Sequence, residues 1–171
     1  GFTYGGKKNE NYIYTLNGKV LKSVDQERDL GVIIHKNGKT SEQCITAVNK
    51  ANQILGMIER NINFKSKNAI IRLYKALVRP RLEYCIQAWS PYFRKDIELL
   101  EKVQRRATKL VPWLRKLSYE ERLLKLDLIS LEKRRLRGDL IETFKILTKR
   151  EDLNPETFFK EATTRSLRGN S

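Results

Sequence analysis

Histidine and cysteine are almost absent: His35, Cys44 and Cys85 are all that the 171 residues hold. One histidine excludes a histidine-based metal site or triad supplied by this chain alone, and two lone cysteines make no zinc pattern. Both cysteines lie within helical patterns, so no disulfide framework is expected and an intracellular, reducing compartment is. Apolar runs are short, and none nears the roughly 20 residues that span a bilayer. The start, GFTYGGKKNENYIY, is polar and glycine-rich, with no signal peptide visible. Aspartates never occur in pairs: Asp25, Asp29, Asp96, Asp127, Asp139 and Asp152 stand singly. A two-metal nucleotidyl-transfer site needs clustered carboxylates, and none is suggested. P-loop, G-x-G-x-x-G and G-x-S-x-G patterns are also missing, so no catalytic constellation and no cofactor are expected. Glu98 and Glu101 face a basic helix and read as ordinary ion-pairing residues rather than general bases.

Acid is scarce relative to base. Lys and Arg total 35 against 20 Asp and Glu, a net charge of +15. That excess draws polyanions and points to nucleic acid before small metabolites. With 40% apolar residues spread along the chain, a real core can form.

The first forty residues read as β structure. Tyr12–Leu16 and Lys19–Val24 are β-branched or aromatic runs flanking Asn17-Gly18, a strong hairpin signal because both residues tolerate positive φ. The run Asp29–Ile34 predicts a third strand, and Asn37-Gly38 another turn. From Thr40 the period becomes helical. Thr40 or Ser41 is positioned to cap a helix that buries Cys44, Val48, Ala51, Leu55 and Ile58. Ser66 is positioned to cap a second, with Ile70, Leu73, Tyr74 and Leu77 on one face. Pro80 predicts a joint, with residues 78–81 changing the chain's direction and 82–89 returning to the core. Asp96 opens a helix burying Ile97, Leu100, Val103, Ala107 and Leu110, closed by Pro112. Ser118-Tyr-Glu-Glu121 is a capping-box pattern opening a short helix to Leu126. Ser130 caps the last long helix, with Leu136, Leu140, Phe144 and Leu147 as its stripe. The expected fold is mainly α: a β region over 1–39, a bundle of about five or six helices over 40–150, and a tail over 151–171 that is loose from Ser166.

Two cationic runs stand out. Lys102, Arg105, Arg106 and Lys109 recur at spacings of three and four and share one helical flank away from the apolar stripe. Arg134, Arg135 and Arg137, after Lys133, repeat the theme on the last helix. Such flanks suit phosphate contact, with Arg adding bidentate geometry. Glu101, Glu132 and Asp139 partly neutralise them, as they would on an ordinary solvated face. Of the aromatics, Tyr74, Tyr84 and Trp89 read as core, while Trp113, before Arg115-Lys116, is kept as a nucleic-acid contact.

The stretch LVRPRLEYCIQAWSPYFRKDIELLEKVQRRATKLV resembles the region after the polymerase palm in reverse transcriptases of non-LTR, LINE-type retrotransposons, most of all the jockey-like and chicken-repeat-like groups. The matching series is ordered: Tyr74, Leu77–Pro80, Leu82–Tyr84, Trp89, Pro91, Asp96-Ile97, Leu100-Glu101 and Val103–Thr108. Upstream, Arg28–Ile33 is similar to the family's K-D-L-G-V segment. Downstream, Tyr119–Leu123, Ser130-Leu131, Arg134-Arg135, Phe144–Leu147 and Arg168-Gly169 also fit. The resemblance implies that Leu30, Gly31 and Val32 belong to the primer-grip hairpin between palm and thumb. The helices from Ser41 would be the thumb and its connecting region, which hold an RNA or RNA–DNA template–primer by its backbone. The family's catalytic carboxylates, including a double aspartate after an aromatic-alanine pair, lie upstream of this region and are absent here. The resemblance therefore implies a non-catalytic piece of a polymerase whose Mg ions and palm domain lie elsewhere. It also implies that the side bearing Leu30, Val32 and Ile34 would be exposed without the palm. The alternatives are a helical protein-interaction module and a decayed element copy with no function of its own. Nucleus and cytoplasm both stay open.

Overall fold

The computed structural model describes residues 13–159. Tyr12, Ser166 and Arg168-Gly169 lie outside them. The fold is mainly α with a small β region before it. Two compact units divide the chain, Gly1–Lys133 and Arg134–Ser171. The change of hydrophobic period at 39/40 marks a change of secondary structure within the first unit.

Two antiparallel hairpins precede the helices. Strands β1 (Thr15–Leu16) and β2 (Lys19–Val20) pair Thr15 with Val20 and Leu16 with Lys19. Asn17 and Gly18 turn between them with φ of 50° and 75°, as the Asn-Gly pattern predicts. The expected third strand is instead two strands. β3 (Gln26–Asp29) and β4 (Val32–His35) pair from Gln26–His35 to Asp29–Val32, and Leu30-Gly31 is the turn. Both turn residues are left-handed, at 45° and 84°. Glycine takes that conformation freely, but leucine does not. Leu30 points to solvent, 83% exposed, so no packing offsets its strain. Replacing Leu30 by Asn is expected to raise stability by about 1 kcal/mol, read as a higher urea midpoint. The expectation that Leu30, Val32 and Ile34 share an exposed side is also corrected. Val32 is buried and Ile34 packs against the core, because β4 leans on the first helix.

That helix, α1 (Ser41–Asn61), is the centre of the first unit. Its Cys44, Val48, Ala51, Leu55 and Ile58 are all buried, as the period predicts. Its Gln43 side chain accepts the Ile33 N–H at 2.9 Å, which ties β4 to it. Neither Thr40 nor Ser41 caps it by side chain. Thr40 makes no such bond, and the Ser41 hydroxyl donates to Asp96 at 2.6 Å.

Next comes α2 (Lys67–Leu73), with the Ser66 hydroxyl accepting the Ala69 N–H at 3.2 Å. A π-helical turn, Tyr74–Val78, leads into α3 (Arg79–Glu83) without a break. Pro80 is therefore not a joint. A regular helix would drive its ring into the carbonyl four residues back, and the wider turn just before it gives room. The extra residue in that turn has a second consequence. Residues four apart drift by about 40° per step in an α-helix but keep their face through a π turn. Ile70, Tyr74, Val78 and Leu82 are accordingly all buried, whereas Leu77, expected inside, is exposed.

The real break follows at Tyr84, extended, and Cys85, left-handed at φ 50°. α4 (Ile86–Trp89) then returns to the core, with the Trp89 indole donating to the Tyr84 carbonyl at 2.8 Å. Tyr84 itself is exposed rather than core. Its hydroxyl donates to the Leu30 carbonyl at 3.1 Å.

α5 (Arg94–Lys109) begins two residues before Asp96 and packs along α1, burying Leu100, Val103 and Ala107. Its Ile97 is only half buried. α6 (Tyr119–Lys125) carries a complete capping box. The Ser118 hydroxyl accepts the Glu121 N–H, and the Glu121 carboxylate accepts the Ser118 N–H at 2.8 Å. Hydrogen bonding to its carboxylate by the Ser118 side chain and backbone N–H holds the Glu121 carboxyl below the usual carboxylate range.

α7 (Leu131–Leu147) starts with the Ser130 hydroxyl accepting the Lys133 N–H at 3.2 Å. With α2 and α3 counted as one continuous helix, six helices follow the β region among the described residues. The stripe expected to be buried on α7 is not. Leu136, Leu140, Phe144 and Leu147 are all exposed. Helical spacing shows that a face is apolar; it does not supply the surface that covers it.

Candidate nucleic-acid interface

α5 has two contrasting sides. Leu100, Val103 and Ala107 lock one side against the core, which fixes the rotation of the helix. Asp96, almost fully buried, anchors its first turn by accepting the Ser41 hydroxyl. Lys102, Arg105, Arg106 and Lys109 are thereby turned outward, and all four are exposed.

The four do not behave alike. Arg105 lies over the ring of Tyr119, 4.7 Å from its centroid. Arg106 leans towards α1, where its guanidinium meets Glu59 at 2.9 Å and Asn52 at 3.4 Å. Lys102 and Lys109 have no ion-pair partner among the described residues. The two arginines thus mark the edges of a track, and the two lysines are its open positions. The Arg106–Glu59 pair is about half exposed, so it is worth at most about 1 kcal/mol.

Beneath Arg105 lies a buried polar network. Gln104 is fully buried. Its side-chain oxygen accepts the Tyr74 hydroxyl at 2.6 Å, and its amide nitrogen faces Tyr119 at 2.9 Å, the Ile129 carbonyl at 3.0 Å and Glu101 at 3.3 Å. Glu101 accepts the Tyr119 hydroxyl with one oxygen and the Leu131 N–H at 3.0 Å with the other. The reading of Glu101 as an ordinary ion-pairing residue is therefore corrected. It is a buried acceptor that joins α5, α6 and the first turn of α7, where a helix N-terminus favours negative charge. Glu98 does pair in the ordinary way, with Arg94 at 3.4 Å on the surface. Arg122 supports the same wall: it is buried, donating to Thr108 at 2.9 Å and the Leu117 carbonyl at 2.6 Å.

Burial pushes the Tyr74 hydroxyl well above the ordinary tyrosine range, and burial followed by the bond to Glu101 does the same for Tyr119. In the unfolded chain both lose their protons near pH 10. The folded chain holds them to higher pH, so their contribution to stability is level below about pH 10 and falls as pH rises above it. Each tyrosine contributes up to about 1.4 kcal/mol per pH unit to that fall. Urea midpoints measured across this window are expected to show the loss, and the Tyr74→Phe/Tyr119→Phe variant to show a shallower one.

A groove of about 600 Å³ opens beside the network. Lys102, Arg105 and Lys133 line it together with Glu98, Glu120 and Glu132, so its charge is mixed. Among the described residues no three His, Cys, Asp or Glu side chains come together as a metal site would require. No helix of the described residues is long and apolar enough to cross a membrane.

The second cationic run, on the part of α7 within the Arg134–Ser171 unit, is less open than its sequence suggests. Arg135 is buried and Arg134 half buried, both with interaction partners, and only Arg137 is exposed. Of the primer-grip-like residues, Leu30 and Gly31 form the exposed hairpin turn, and Val32 belongs to the core. No family model matches the chain, and neither a curated protein nor a solved structure is found to match it.

Proposed function

We propose that this chain binds RNA or an RNA–DNA duplex through its phosphates, as the thumb-like, non-catalytic part of a non-LTR retrotransposon reverse transcriptase. One observation carries the binding half of this reading. Lys102, Arg105, Arg106 and Lys109 are exposed on one flank of a helix whose other flank is locked in the core. A rigid row of cations meets a regular lattice of phosphates without ordering itself first. The family half rests on the ordered motif series from Tyr74 to Thr108.

The second reading is a helical module that docks on a protein. The exposed Leu136, Leu140, Phe144 and Leu147 stripe favours it. A salt series on an immobilised duplex oligonucleotide and on an acidic protein separates the two. Retention by the duplex at low salt, released steeply as salt rises, supports the first. Retention by the acidic protein alone contradicts it.

A further inference from the structure

The cationic track on α5 continues beyond the helix and ends at an exposed tryptophan. From Lys102 to Tyr119 the sequence holds six cations, Lys102, Arg105, Arg106, Lys109, Arg115 and Lys116, and no acid. All six are exposed. Trp113 sits among the last of them, 58% exposed, in the single turn of 3-10 helix Pro112–Leu114.

That turn is rigid. Val111 and Leu114 on either side of Pro112-Trp113 have no exposed surface at all. The Leu114 N–H donates to the Val111 carbonyl at 3.1 Å, and the Leu117 N–H to the Leu114 carbonyl at 3.1 Å. The Arg115 guanidinium folds back to the Lys109 carbonyl at 3.1 Å, joining the turn to the end of the track. The chain therefore holds its largest side chain in solvent on a fixed mount. The other tryptophan, Trp89, is buried with its indole hydrogen-bonded.

The geometry points to Trp113 as a stacking platform for an unpaired base, with Arg115 and Lys116 on the adjoining phosphates. This rests on the phosphate-binding reading above and deepens it. Bases within a duplex have their faces covered by their neighbours, whereas an unpaired base offers both faces to an aromatic ring. The preferred ligand is then a duplex with a single-stranded extension, with the duplex backbone on α5 and the extension on Trp113. From Lys102 to Lys109 the helix rises about 10 Å, the length of about three base pairs, so both parts fit on one short ligand.

The test is a fluorescence and affinity titration of the full chain and its Trp113→Leu variant, using a blunt duplex and the same duplex with a short overhang. The overhang is expected to quench emission of the unaltered chain and to bind about tenfold more tightly than the blunt duplex. Trp113→Leu is expected to lose the quench and the tenfold preference while keeping its affinity for the blunt duplex. Equal affinity for the two ligands, without quenching, overturns the inference and leaves phosphate binding standing. Binding of neither ligand overturns both. An emission shift with anionic phospholipid vesicles, and none with the overhang, also overturns it.

Discussion

Glu101→Ala is expected to lower the unfolding free energy by about 3 kcal/mol or more, and the melting temperature by about 10 °C. Glu101 is 8% exposed, and both carboxylate oxygens are used. Its removal strands the Leu131 N–H, takes the acceptor from the Tyr119 O–H, whose oxygen still accepts from Gln104, and takes one acceptor from the Gln104 amide. A buried polar group left without a partner loses about 1–3 kcal/mol. The loss should appear as a lower urea midpoint in a chain that still folds cooperatively. Glu98→Ala is the control. Glu98 belongs to the same helix, but its pair with Arg94 is exposed, so its change should stay within about 0.5 kcal/mol.

The larger effect concerns binding. Replacing Lys102, Arg105, Arg106 and Lys109 together by Gln is expected to weaken binding of a blunt duplex on the order of a thousandfold at 0.1 M salt. Each cation that neutralises a phosphate releases a condensed counterion, and four such contacts account for a loss of this size. The loss should be nearly the same for unrelated duplex sequences, because phosphates carry no base information. The variant should stay folded: all four side chains are exposed, and the Arg106–Glu59 pair and the Arg105–Tyr119 contact are modest surface interactions. A thermal melt on the same sample checks this.

Much of this molecule is written in local patterns. Ser118–Glu121 is a capping box because its two bonds span only three residues. Asn17-Gly18 turns because both residues accept positive φ. The α1 stripe from Cys44 to Ile58 is buried as its spacing predicts. The failures have other causes. Leu77 and Val78 exchange places because a π turn inserts one residue, and only the core that receives Tyr74 and Val78 selects that turn. Leu30-Gly31 runs straight into the apolar Val32–Ile34, which disguises a turn as strand. On α7, the stripe from Leu136 to Leu147 reads as core, but spacing alone cannot provide a cover.

The candidate interface divides in the same way. The outward row on α5 is legible, because Leu100, Val103 and Ala107 mark the buried face opposite it. Arg134 and Arg135 are equally basic, yet Arg135 is buried and Arg134 half buried. Glu101 as a buried acceptor needed Tyr119 and Leu131 to be seen beside it. Gln104 did leave a signal: a polar residue four positions after Leu100, inside the apolar period, has to find its hydrogen bonds in the core.

The most direct test of the account is the slope of log binding constant against log salt for a blunt duplex, measured with the unaltered chain and with the four-Gln variant. Phosphate binding by the α5 track predicts a steep negative slope for the unaltered chain and one shallower by about 3.6 for the variant. Equal slopes in the two proteins would place the bound phosphates elsewhere and contradict the account.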